Sequence, residues 1–211
     1  MGGCCNWREL EKYQRESHRV MLKLIEDRIR YYSYECFFGF DYYGSLVSRA
    51  YGDVDTVCIP ARGLELLEGG TDVHNHVTDA SFSSCDLRTF ANYHLRESRV
   101  VSPRWTFSIK RQTLLDFEKD IQPVYEEAKK YVKTNKFKKS IICRYPNYNP
   151  KNILDSSRAV MHQVAKNIKY LTYTEDRIPL KIPKYPYDNS DMAHTVTISC
   201  IDNEIPLICC L

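Results

Sequence analysis

The sequence predicts an α+β fold: a single compact domain in which three main helices pack on a small mixed sheet. Three patterns carry that expectation. Apolar residues recur at helical spacing from Trp7, a strictly alternating stretch begins at Trp105, and a strand–helix–strand–helix order runs from there to Tyr170. The 211 residues are 43% hydrophobic and 27% charged, with a formal net charge of +3, which suits one buried core and excludes a disordered chain. The expected division is a flexible segment over residues 1–6 and one globule over 7–211.

Trp7 to Tyr31 reads as the longest helix. Asn6 is placed to cap it, Glu9 stands three residues on as a capping-box partner, and Leu10, Tyr13, Met21, Leu24, Ile25 and Ile29 form the apolar stripe. A heptad started at Leu10 puts Asp27 in a core position, so a coiled coil is excluded. Between Tyr31 and Tyr51 aromatic rings crowd around Gly39 and Gly44, and they are expected to be core or contact surface for partner proteins and self-association. Asp55 to Ile59 reads as a short strand stopped by Pro60, and the polar stretch from Gly69-Gly70 to Ser98 reads mostly as loop.

Trp105, Phe107 and Ile109 alternate with Thr106, Ser108 and Lys110, a half-buried strand. Gln112 to Thr134 carries Leu114, Phe117, Ile121, Val124, Tyr125 and Ala128 at helical spacing, and Ser140 to Cys143 reads as a third strand. Asn149-Pro150 introduces a helix to Tyr170, with Ile153, Val160, Met161, Val164 and Ile168 inward. This order makes the central βαβ-like segment. Pro179, Pro183 and Pro186 bar a central strand after Arg177, and His194 to Ile201 returns to strand character.

The front of the chain, Met1-Gly2-Gly3-Cys4-Cys5-Asn6, has the form of a lipidation site. Removal of Met1 exposes Gly2 for N-myristoylation, and S-palmitoylation of Cys4 and Cys5 adds the second signal that stable anchoring needs. Lys129, Lys130, Lys133, Lys136, Lys138 and Lys139 form a basic block with no acidic residue between Ala128 and Arg144, suited to an anionic cytoplasmic leaflet. Nucleic acid is the weaker partner for that block, because the rest of the chain is nearly neutral. The nine cysteines are odd in number and contain no CxxC pair, which reads as thiols in a reducing compartment rather than a disulfide framework.

Asp72-Val73-His74-Asn75-His76-Val77-Thr78 is the segment best suited to chemistry. On an extended strand the period of two puts Asp72, His74, His76 and Thr78 on one face, where the two imidazoles can chelate one ion. Cys85 and His94 would complete a tetrahedral zinc set, with Asp79 or Asp86 as substitute carboxylates. His76-Val77-Thr78 also resembles one half of the paired His-x-Thr signature of two-histidine phosphoesterases, but the second half is missing, since Thr195 follows His194 directly. GxxxxGK, GxGxxG and HExxH are all absent.

Two functions follow as expectations. The first is a peripheral membrane protein without enzymatic activity, a scaffold, adaptor or viral matrix-like accessory protein, anchored through Gly2, Cys4 and Cys5 to the cytoplasmic face of the plasma membrane or Golgi and binding no cofactor. The second is a membrane-tethered hydrolase, metal-dependent or acting on phosphodiesters, built around His74 and His76 with zinc as its metal.

Overall fold

In chain order the elements are α1 (Trp7–Ile29), β1 (Cys36–Phe40), β2 (Leu46–Tyr51), α2 (Ala61–Glu65), β3 (Thr71–Asn75) and α3 (Ser84–Asn92). They continue as β4 (Glu97–Val101), β5 (Trp105–Arg111), α4 (Ile121–Tyr131), α5 (Asn135–Ile142), α6 (Ile153–Asn167) and β6 (Leu171–Arg177). The computed structural model describes residues 7–112, 121–142, 147–149 and 151–178. Gly2, Cys4, Cys5, the Asn6 cap, the first part of the helix expected from Gln112, Cys143 and the strand expected at 194–201 lie outside the described residues. No described helix is long and apolar enough to cross a membrane.

The six strands form one mixed sheet in the order β2-β1-β3-β4-β5-β6, and the fold is α+β as expected. Only the β3–β4 pair is parallel; the other four pairs are antiparallel. Strand alternation sorts the apolar residues into two layers. Cys36, Phe40, Val73 and Val101 point to one face, where Leu22 and Ile29 of α1 cover them. Phe37, Val100, Phe107 and Ile109 point to the other, against Leu87 and Phe90 of α3, Ile121 and Tyr125 of α4, and Val160, Met161 and Val164 of α6.

The aromatic stretch after α1 is a hairpin. Asp41 Oδ1 accepts from the N–H groups of Tyr43 and Ser45 at 2.9 and 2.8 Å, and Gly44 takes the φ of 86° that this turn needs. Its inward rings enter the two cores, while Tyr42 and Tyr43 at the tip stay exposed.

Several sequence expectations are corrected. The strand from Trp105, expected half-buried, is covered on both faces, with Thr106 and Ser108 buried as well as Phe107 and Ile109. In α1, Leu24 and Met21 of the expected stripe are exposed, because Leu22, Glu26 and Ile29 carry the face on the sheet. Residues 55–59 form no strand, because the chain turns where Asp53 N donates to Thr56 O at 2.8 Å, and Ile59 makes only an isolated bridge. The stretch from Gly69 to Ser98 is ordered as β3, α3 and β4 rather than loop, so the parallel crossover is β3–α3–β4 and not the segment after Trp105. Ser140 to Ile142 ends helix α5 instead of forming a strand: Thr134 Oγ1 accepts from Phe137 N at 3.2 Å and starts a helix that carries the short apolar run. Ile153, expected inward, is 56% exposed, since α6 starts there after its Asn152 cap.

β6 is an edge strand held to α6 by one carboxylate. Glu175 accepts from both sides of the Arg158 guanidinium and from Tyr173 Oη at 3.2 Å, with His162 Nε2 3.5 Å away, and Arg158 lies 4.2 Å over the Trp105 ring. Burial would raise the Glu175 carboxyl, but Arg158 and His162 outweigh it and bring it down to about 2. A folded pKa below the unfolded one stabilises above the unfolded value of 4.5 and is lost as pH falls towards about 2. Glu175→Gln is therefore expected to cost about 2–3 kcal/mol at pH 7 and to flatten stability between pH 4.5 and about 2. Urea titrations of both proteins across that range check it, and parallel acid limbs would refute it.

Candidate metal centre

β3 is a central strand whose five residues are all buried, so both of its faces need partners. On the α1 side it supplies Val73 to an apolar core. On the α3 side it supplies Asp72 and His74, although the strand neighbours of His74 are Phe37 and Val100. Carboxylate and imidazole in the middle of an apolar layer are costly unless something satisfies them.

A capping box brings the third group. Ser83 Oγ accepts from Asp86 N at 3.3 Å, and Asp86 Oδ2 accepts from Ser83 N at 2.6 Å, which fixes the Asp86 carboxylate at the first turn of α3. That turn lies beyond the carboxyl end of β3, where the crossover of a parallel pair opens a crevice. His76, just past the strand, is held there by its N–H to Val101 O at 2.9 Å.

Ligand-capable atoms of His74, His76 and Asp86 all lie within 4.8 Å of one another. His74 Nε2 is 3.3 Å from Asp86 Oδ1, and His76 Nε2 is 3.5 Å from Asp86 Oδ2. Ligands about 2.0–2.1 Å from a tetrahedral ion stand roughly 3.3–3.4 Å apart, and the two imidazoles each come close to that range from one oxygen of the same carboxylate. The far nitrogens are already used: His74 Nδ1 faces Asp72 Oδ2 at 3.0 Å, and His76 Nδ1 faces Ala80 O at 3.1 Å. Both contacts select the tautomer that turns a lone pair at Nε2 inward, the arrangement usual for zinc-binding histidines.

A purely structural ion network is the alternative, and its imperfect geometry weighs against it. Asp72 Oδ1 is buried without a hydrogen-bond partner, and His74 Nε2, buried and 3.3 Å from Asp86 Oδ1, is in ion-pair range of that carboxylate without an aligned hydrogen bond. Burial would strip the proton from His74, but Asp86 and Asp72 outweigh it and hold the imidazolium well above the ordinary histidine range. Burial would likewise raise Asp86, yet His74 and His76 hold it well below the ordinary carboxylate range. The field that keeps a proton here would also hold a dication in its place.

The cluster opens into a cavity of about 620 Å³. Glu35, at the start of β1, reaches the same cavity; burial first raises its carboxyl, and the nearby histidines pull the other way. Apolar walls come from Phe37, Val57, Ile59, Phe82 and Val160.

Of the residues singled out in the sequence, His74 and His76 meet, and Asp86 is the carboxylate that joins them. Cys85 lines the cavity one residue away, but its thiol accepts from Arg88 Nη2 at 3.3 Å. His94 lies past the far end of α3, at a φ of 50°, and the nine-residue helix separates it from Asp86 by about 12 Å. Asp79 is taken up by Arg104 and Ser102. No His-x-Thr partner faces His76 among the described residues; its neighbour is His74, with ring centroids 5.1 Å apart. Glu35 and the Ser83-x-x-Asp86 capping box escaped sequence reading, though the box is a short-range signal that could have started α3.

The basic block divides between two helices. Lys129 and Lys130 end α4, Lys133 follows it, and Lys136, Lys138 and Lys139 lie on α5. Lys129 and Lys133 line the cavity.

The chain matches no protein-family model, no curated protein and no solved structure.

Proposed function

We propose that this protein is a zinc-dependent hydrolase of acyl bonds, amide or ester. The observation that carries the reading is the convergence of ligand atoms of His74, His76 and Asp86 within 4.8 Å of one another on a cavity that also holds Glu35. Three protein ligands leave a fourth position for water, the pattern of catalytic rather than structural zinc. Bound zinc would make that water acidic and polarise the substrate carbonyl. Glu35 would accept the proton of the attacking water and hand it to the leaving nitrogen or oxygen as the acyl bond breaks. A raised Glu35 carboxyl suits both halves of that transfer.

Two details favour this reading over its neighbours. One three-residue metal cluster occurs among the described residues, whereas phosphodiester cleavage commonly uses two ions. The same two-histidine, one-carboxylate set also serves iron in oxygen chemistry, but that chemistry has no need of a base such as Glu35. The non-enzymatic adaptor gives no account of two histidines and two largely buried carboxylates gathered at an apolar cavity. Anchoring through Gly2, Cys4 and Cys5 is a compatible part of the proposal and rests on the sequence alone.

Metal analysis of the purified full chain tests the reading. About one equivalent of zinc is expected, and Asp72→Asn, which loses the carboxylate behind His74, should weaken it about 10–100-fold. Zinc below about a tenth of an equivalent after incubation and desalting would end the proposal.

A further inference from the structure

The cavity has two chemically different ends. Its inner end holds His74, His76, Asp86 and Glu35. Helix α4 leads outward from there. Tyr125 stands at the inner end, its hydroxyl pushed up to about 12 by burial and then by the charge of Asp86. Lys129 follows one turn and about 6 Å further along, and Lys133 comes just after the helix ends.

Lys129 and Lys133 are exposed, line the cavity, and make no ion pair among the described residues. Favourable placement at a helix carboxyl end explains lysines in the last turn of α4, but it does not explain why the pair on the cavity side continues past the helix. A second, independent feature belongs to the same cavity. Tyr148 Oη is buried without a hydrogen-bond partner, and its ring is held edge-on to Phe137 with centroids 5.9 Å apart. Tyr148 lines the same cavity as the two lysines, and its covered hydroxyl is a donor that nothing holds in place.

We propose that Lys129, Lys133 and Tyr148 hold an anionic group of the substrate, a carboxylate or a phosphate, while an apolar stretch of the same molecule spans the walls to the metal end. The inference rests on the hydrolase reading for what happens at the metal end, but anion capture itself needs no metal. It makes the substrate class an amphipathic acyl compound bearing an acid remote from the bond that is cleaved. It also takes two lysines out of the membrane-facing block, leaving Lys130, Lys136, Lys138 and Lys139 for a lipid surface.

Calorimetric titration of the metal-free full chain with hydrocinnamate, phenyl phosphate and neutral hydrocinnamide separates the possibilities. At least one of the two anions should bind about ten-fold or more tighter than the amide, and the tighter of them identifies the acid. The double variant Lys129→Ala/Lys133→Ala should lose that preference, while Lys136→Ala/Lys139→Ala, on α5, should keep it. Equal affinity for acids and amide, or a preference that survives in Lys129→Ala/Lys133→Ala, overturns the proposal. A protein that prefers the anions but takes up no zinc would lose the hydrolase reading alone. One that takes up zinc and cleaves acyl reporters, yet shows no anion preference, would lose only this inference.

Discussion

Glu35→Gln is expected to lower kcat of the zinc-loaded protein by about 10³-fold while leaving its zinc content unchanged. The substitution keeps the shape and removes the proton-accepting group, so the attacking water would have no base beside it. Asp86→Asn should behave differently, losing zinc and rate together, because Asp86 is placed as a ligand between both histidines. Stability gives a second readout. Burial raises the Glu35 carboxyl, so its charged form is costly in the fold and a neutral amide should leave the melting temperature unchanged or raise it. A residue kept for packing or for an ion pair would show the opposite. A rate within ten-fold of wild type, or loss of zinc along with activity, would remove Glu35 from the mechanism.

Arg30→Ala should cost about 3–5 kcal/mol, roughly 10 °C in melting temperature. Arg30 follows the last residue of α1, is 1% exposed, and crosses to the β4–β5 connection. There its Nη1 donates to Ser102 O and, at 2.6 Å, to Trp105 O, and its Nη2 donates to Thr106 Oγ1 at 2.8 Å. Removing the guanidinium orphans two buried acceptors, Ser102 O and Thr106 Oγ1, leaves Trp105 O with Ser102 alone, and loosens α1 from the sheet face it covers. The effect should reach the metal end, since Ser102 Oγ donates to Asp79 Oδ1 in the loop that follows His76. Arg30→Met is the sharper comparison: it keeps much of the apolar stem but no donor, so a loss close to that of Arg30→Ala would assign the energy to the hydrogen bonds. Chemical denaturation measures both, and a change under about 1 kcal/mol would show that other contacts hold the helix.

The helices at Trp7 and Ile153 were legible because each packs one face on the core, which leaves a period in the sequence. The strand at Trp105 was legible because its two faces differ in chemistry, apolar at Phe107 and Ile109 and polar at Thr106 and Ser108. The hairpin from Cys36 to Tyr51 was not, because aromatic residues point to both of its faces and blur the alternation. The β3–α3–β4 unit was missed for a more instructive reason. Its polarity reads as solvent exposure, yet Asp72, His74, Asn75 and His76 are all buried: Asn75 bonds the backbone at Tyr34 and Cys36, and the other three gather at Asp86. The period of two did put Asp72 and His74 on one face with His76 beyond them, and Asp86 stood among the carboxylates that spacing allowed.

From the sequence alone came the α+β class, the pair of histidines able to share an ion, and the lipidation pattern at Gly2, Cys4 and Cys5, because periodicity and short motifs are local properties of a chain. Only tertiary structure could choose Asp86 over Cys85 and His94, since one turn of α3 faces β3 and its other end lies a helix length away. The same holds for Glu35 and for the division of the lysines between cavity and surface. Those depend on which strand lies beside which and where a helix starts, and both are settled by how the whole core packs.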